Sequence, residues 1–146
     1  MINKTFDEMT GNGQATTSQA TLFEKTGWLS PTVFLKIYFG IVVGDDVRQA
    51  WRIADSRLTE WGFIGHTEVL ALVDGKRHRF EGFVNESDTK IDAQEVVCIE
   101  SFHTPISEEF LKELAEAESA KIRLGGADFD VPLELLADVK ELIKAI

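Results

Sequence analysis

The chain is short of several things, and each shortage removes a class of answer. It has a single cysteine, Cys98, among 146 residues, so no internal disulfide can form and no oxidising compartment is implied. Positive charge is scarce. Fifteen Lys and Arg stand against 25 Asp and Glu, a formal net charge of -10. A balance of that sign repels phosphate backbones and anionic lipid, which argues against nucleic acid and membrane surfaces as partners. Long apolar runs are missing as well. The most apolar stretch, VFLKIYFGIVV at 33–43, is too short to span a bilayer and contains Lys36. The start, MINKTFDEMTGNG, has no apolar run after its lysine, so no signal peptide is read and the cytoplasm is the expected location.

The early chain lacks even local signals. TGNGQATTSQAT, residues 10–21, carries no charge and no large apolar side chain. Nothing there offsets the entropy of ordering a backbone, so residues 1–22 are expected to be a flexible lead-in with few contacts. A single globular domain is then expected over 23–146, starting between Phe23 and Trp28.

What is present points to an α+β domain, mainly antiparallel sheet with two helices in the C-terminal half packed on it. The 44% hydrophobic content is enough for one continuous core in a chain of this size. VFLKIYFGIVV, β-branched and aromatic, reads as a strand buried on both faces. HTEVLALVDGKRHRFEGF reads as a hairpin turning at Asp74-Gly75, a pair that tolerates positive φ. QEVVCIESF, 94–102, is a further strand. Ser107 is placed to cap a helix of about 107–120, with Ile106 and Leu111 as its hydrophobic staple. Pro132 opens a second helix of about 132–146, whose Leu135, Leu136, Val139, Leu142, Ile143 and Ile146 form one stripe. That stripe places Val139 and Leu142 in the core. Residues 45–61 read equally as a helix, through Val47, Trp51, Ala54, Leu58 and Trp61, or as strands with Trp51 and Ile53 facing inward.

The double glycine in AKIRLGGADFDVP, 120–132, invites a phosphate-loop reading. Such a loop needs a lysine and a hydroxyl in register before a helix. Here Gly125-Gly126 precedes Ala-Asp-Phe-Asp-Val, and both aspartates would repel a phosphate. Lys121–Leu124 and Asp128–Val131 alternate polar with apolar, so the glycines are expected to shape a hairpin turn.

Candidate chemistry is thin. His66 and Glu68 are spaced to share a strand face as half of a metal site, yet nothing nearby supplies the other half. His103, between a strand and a helix cap, is expected to be a plain loop residue, with a loop acid or base as the alternative. His78 lies in the basic cluster Lys76–Arg79, able to meet an acidic partner or the protein's own acidic surface, and is expected on a solvated hairpin arm. Cys98, between Val97 and Ile99, is expected to be a buried and inert thiol. Glu100 and Arg123 each interrupt an apolar strand, and are expected to meet as a partly buried ion pair.

The order of WGF at 61–63, the hairpin LVDGKRHRF, the strand EVVCIES, the helix from Ser107 and IRLGG resembles small uncharacterised bacterial domains of unknown function. The resemblance spans about residues 33–146. It implies a β-rich α+β fold and no activity. No catalytic, cofactor or metal constellation is read, and no cofactor is expected. The expected function is a non-enzymatic binding or protein-interaction module, self-associating or taking an unidentified protein or small ligand. The competing class is a small enzyme using His66 or His103 with a nearby carboxylate. Convergence of those residues in one pocket is what would separate the two.

Overall fold

The structure, a computed structural model, describes residues 2–7, 12–26, 29–44 and 47–145. Two antiparallel sheets and two helices form the fold, in the order β1 (Ile2–Asp7), β2 (Asn12–Thr17), β3 (Ala20–Lys25), β4 (Val33–Gly44), β5 (Val47–Leu58), β6 (Glu68–Val73), β7 (Lys76–Glu81), β8 (Phe83–Asp92), β9 (Glu95–Ile106), α1 (Glu108–Glu116), β10 (Ala120–Leu124), β11 (Ala127–Asp130) and α2 (Leu133–Ala145). The larger sheet runs β1-β2-β4-β5-β9-β8, with β3 also on β4, and the smaller runs β11-β10-β6-β7. The expected α+β class with two helices in the C-terminal half is what the chain forms. No helix among the described residues is long and apolar enough to cross a membrane.

The ambiguous segment is strand β5. It pairs with β4 from Val47 to Arg57 and with β9 from Ala50 to Leu58. Its burial alternates at period two, with Ala50, Arg52, Ala54 and Ser56 inside. The helical spacing of Trp51, Ala54 and Leu58 is overridden because two long neighbours satisfy every other peptide group on each side. The strand reading had the faces reversed: Trp51 and Ile53 point away from the core, and Arg52 points into it. Residues 45 and 46 lie outside the described residues.

The expected lead-in is likewise part of the sheet. β2 pairs with one half of β4's edge and β3 with the other half, so the two behave as one strand interrupted at Ser18-Gln19. The interruption leaves the Phe39 amide without a ladder partner, and the buried Thr17 hydroxyl accepts from it at 3.0 Å. Ala15 is buried beside it, and Lys4 of β1 donates to the Ala145 carbonyl at 2.8 Å. A polar segment is held here because β4 offers an edge whose amides need acceptors. Residues 8–11, Trp28 and Ile146 lie outside the described residues.

Local signals placed the remaining elements. Asp74 and Gly75 have φ of 46° and 83°, the two left-handed residues of a tight primed turn. The Ser107 side chain accepts from the Phe110 amide at 3.1 Å and caps α1. That helix is shorter than the expected 107–120, because Ala120 already belongs to β10, paired with Val73. In α2, Leu135, Leu136, Val139 and Leu142 are all buried, so the expected core residues are core residues.

Glu100 joins the two sheets. It lies 1% exposed on the inner face of β9. Its carboxylate accepts the Gly62 amide at 2.6 Å and the Phe63 amide at 3.2 Å. This pins the β5–β6 crossing and lays Phe63 flat on Phe102, ring centroids 4.6 Å apart. The Gly125-Gly126 turn then sits against the same crossing. A Cβ at Gly125 would come within 2.6 Å of the Gly62 carbonyl oxygen, and both glycines have positive φ. The pair shapes a hairpin, as read from sequence, and it also permits close backbone approach.

Glu100 and Arg123 therefore do not meet, which corrects the expected ion pair. Arg123 projects from the outer face of the small sheet and is held by Asp128, directly across the hairpin, at 2.5 and 3.1 Å. Glu100→Ala is expected to destabilise by about 3–5 kcal/mol, since it strips the acceptor from two buried amides. Glu100→Gln keeps an acceptor and should cost less than half as much. Arg123→Ala should stay within about 1 kcal/mol of the parent. Urea unfolding of the three variants checks the ranking, and a double-mutant cycle between positions 100 and 123 should show no coupling.

Candidate functional site

The large sheet has two unlike faces. Its inner face is packed by the helices and the small sheet. The outer face of β4, β5, β9 and β8 carries no covering element among the described residues, and its side chains are mostly half-buried by one another. Register sets the rows on this face. Tyr38, Ile53, His103 and Phe83 lie side by side across four strands, flanked by Trp51 on one side and by Lys36, Asp55 and Ser101 on the other.

His103 stands at the centre of this face. It is in β9, not in a loop as expected, because β9 continues to Ile106. Pairing with β8 stops at His103, and past that point a free edge tolerates Pro105. The imidazole lies edge-on to Trp51 at 6.0 Å and tilted to Phe83 at 5.8 Å. Its Nε2 is 3.2 Å from the Ser101 hydroxyl. Burial among the rings pulls the His103 pKa down, while Asp55 and Glu86 pull it the other way more weakly. Tyr38 is pushed up, mainly by burial and then by Asp55.

A hydroxyl beside an imidazole invites a nucleophile reading, and the geometry speaks against it. Asp55, one of two carboxylates that act on the imidazole, accepts a hydrogen bond from Gln19 at 2.8 Å, and none joins it to the imidazole among the described residues. The β9 amides around Ser101 are in ladders with β5 and β8, so among the described residues β9 itself offers no pair of free N–H groups to stabilise an oxyanion.

The other candidates are dispersed. His66 lies exposed in the loop before β6, its amide donating to the Phe63 carbonyl at 2.9 Å. Glu68 opens β6 and is held by Arg79 at 3.3 Å, so the two do not share a strand face as expected. His78 corrects the expectation of a solvated arm. It is tucked under α1, edge-on to Phe110 at 4.8 Å and 2.8 Å from Glu113, which Lys76 also reaches at 2.7 Å. The basic cluster thus meets the protein's own acidic helix. The Lys76 contact, foremost, and His78 lower the Glu113 pKa. No group of three or more metal-ligating side chains converges among the described residues. Cys98 is buried opposite Leu58, and burial, then Glu100 and Glu60, push its thiol pKa up. That is the environment of an inert thiol.

Sequence reading missed Arg52. It is 1% exposed on the inner face, donates to the Thr104 hydroxyl and lies 5.6 Å from the Phe102 ring centroid. Its Nε and Nη1 have no hydrogen-bond partner, and no carboxylate pairs with it among the described residues. Only its position between inward Ala50 and Ala54 gives it away, and that signal exists once the segment is known to be a strand. Burial pushes its pKa down to about 9.

Compared with protein families, with curated proteins and with solved structures, the chain matches none of them.

Arg52 supplies a prediction about pH. Below pH 9 the guanidinium is charged in both states, and the cost of burying that charge is fully present. Arg52→Met should therefore be as stable as the parent or more stable, by up to about 4 kcal/mol at pH 7. Above pH 9 the folded state releases this proton before the unfolded state does. The parent then gains stability relative to the variant, by up to about 1.4 kcal/mol per pH unit. Urea unfolding of both proteins at neutral pH and above pH 9 should show the gap narrowing.

Proposed function

We propose that the chain is a non-enzymatic interaction module that docks through the open face of its large sheet, and that the partner is a second copy of itself. One observation carries the reading. Tyr38, Ile53, Phe83 and Trp51 form a continuous aromatic and aliphatic surface around His103 on strands of 10 to 12 residues, with nothing packed over it among the described residues. At a strand spacing near 4.8 Å and a rise near 3.3 Å, four such strands present roughly 700 Å². Stable interfaces bury about 800 Å² per partner. Two such sheets can pack face to face about 10 Å apart, as in β-sandwiches. The dispersal of His66, His78 and His103 over separate surfaces also favours a module over an enzyme.

A second reading, an enzyme using His103, rests on the 3.2 Å contact with Ser101 and the nearness of Asp55 and Glu86. It requires that Ser101→Ala abolish an activity while leaving self-association untouched.

Sedimentation across a concentration series tests the proposal. The parent should associate below ~100 µM, and Ile53→Lys should weaken association at least tenfold. An unchanged urea midpoint at concentrations where both proteins are monomeric would show that the variant still folds. Arg77→Glu, on the small sheet, should associate like the parent. A parent that stays monomeric throughout the range would sink the reading.

A further inference from the structure

A cavity of about 400 Å³ opens where the two sheets meet, beside the crossing that Glu100 holds. Its volume is within the range of small-molecule sites. Phe23 and Trp61 wall it, and both residues remain partly open to solvent, at 40% and 39% exposure. Leu58 and Val33 add apolar surface, while Thr59, Glu60 and His66 supply the polar groups. Gly62 and Gly125 contribute backbone to the lining. That part is rigid by construction: the Gly62 amide is bound to Glu100 at 2.6 Å, and Gly125 fits only because it lacks a side chain.

The chemistry of the lining selects a class of ligand. It contains one carboxylate and no lysine or arginine. Glu60 is exposed, and no ion pair engages it among the described residues. Two exposed aromatic rings beside a lone carboxylate, on a chain of net charge -10, form an environment that favours cations over anions. Ring faces attract an organic ammonium through their quadrupole, and the carboxylate adds a direct charge. An anionic ligand would meet Glu60 with no lysine or arginine in the lining to offset it.

We infer that this cavity binds a small organic cation, an amine or quaternary ammonium held between Phe23 and Trp61 and neutralised by Glu60. The inference is independent of docking through the open sheet face, since no residue of the Tyr38–Phe83 row lines the cavity.

The test is an NMR titration of the full chain with tetramethylammonium chloride, with sodium chloride as the ionic-strength control. Neopentyl alcohol serves as the uncharged probe of the same shape. Saturable shifts are expected at the Gly62 and Gly125 amides and the Trp61 indole N–H. The alcohol should bind at least tenfold more weakly. Glu60→Gln, a change at an exposed position, should cost at least tenfold in tetramethylammonium affinity, and Trp61→Ala a similar factor. Three outcomes would overturn the inference: no saturable shift beyond that of sodium chloride, equal affinity for the alcohol, or unchanged affinity in Glu60→Gln.

Discussion

A carboxylate on the inner face of a strand, bonded to two backbone amides of a crossing loop, holds this molecule's two sheets in relation to one another. Glu100 accepts from Gly62 and Phe63, and three consequences follow from that contact. Phe63 is set parallel to Phe102, adding a stacked pair to the core. The crossing brings Gly62 against the Gly125-Gly126 turn, which is why that turn needs a glycine for space as well as for conformation. The same crossing places Trp61, Glu60 and His66 around the cavity at the junction. A buried carboxylate is stable in such a place only when donors meet it. Here the peptide backbone supplies them.

Arg52 shows the opposite outcome on the same face. Arg52 stands opposite Thr104, and Glu100 opposite Ser56, so four residues of strand separate the two charges, roughly 13 Å. They are too far apart to pair. Glu100 finds amides, while Arg52 finds one hydroxyl and an aromatic ring. The consequence is an inner face with one well-met carboxylate and one poorly met guanidinium.

The large sheet divides its work between faces. Every second residue of β4, β5 and β9 turns inward and builds the core with α1, α2 and the small sheet. The alternate residues make a surface that is aromatic at its centre and charged toward Lys36 and Asp55. Because each strand has period two, the same chain segments supply a core and an uncovered face at once. The docking proposal rests on that duality.

The sequence by itself determined the local events. The Asp74-Gly75 and Gly125-Gly126 turns, the Ser107 cap, the α2 stripe and the β4 strand each depend on residues close in the chain, whose φ preferences and spacing act without outside help. Tertiary structure decided everything that needed a distant partner. Residues 12–17 and 20–25 are strand because β4 presents unsatisfied amides, not because their own side chains demand it. Residues 47–58 are strand because β4 and β9 flank them, against a helical spacing that is equally visible. Glu100 was legible as a misplaced charge, but its partners are backbone amides 37 and 38 residues away, and a peptide N–H leaves no mark in a sequence. The expected partner, Arg123, was instead claimed by Asp128 five residues on, since short-range pairing across a hairpin closes with little loss of chain entropy. His66, Glu68 and His103 could be named from sequence, but only the fold could disperse them and set Trp61, Glu60 and Phe23 around one cavity.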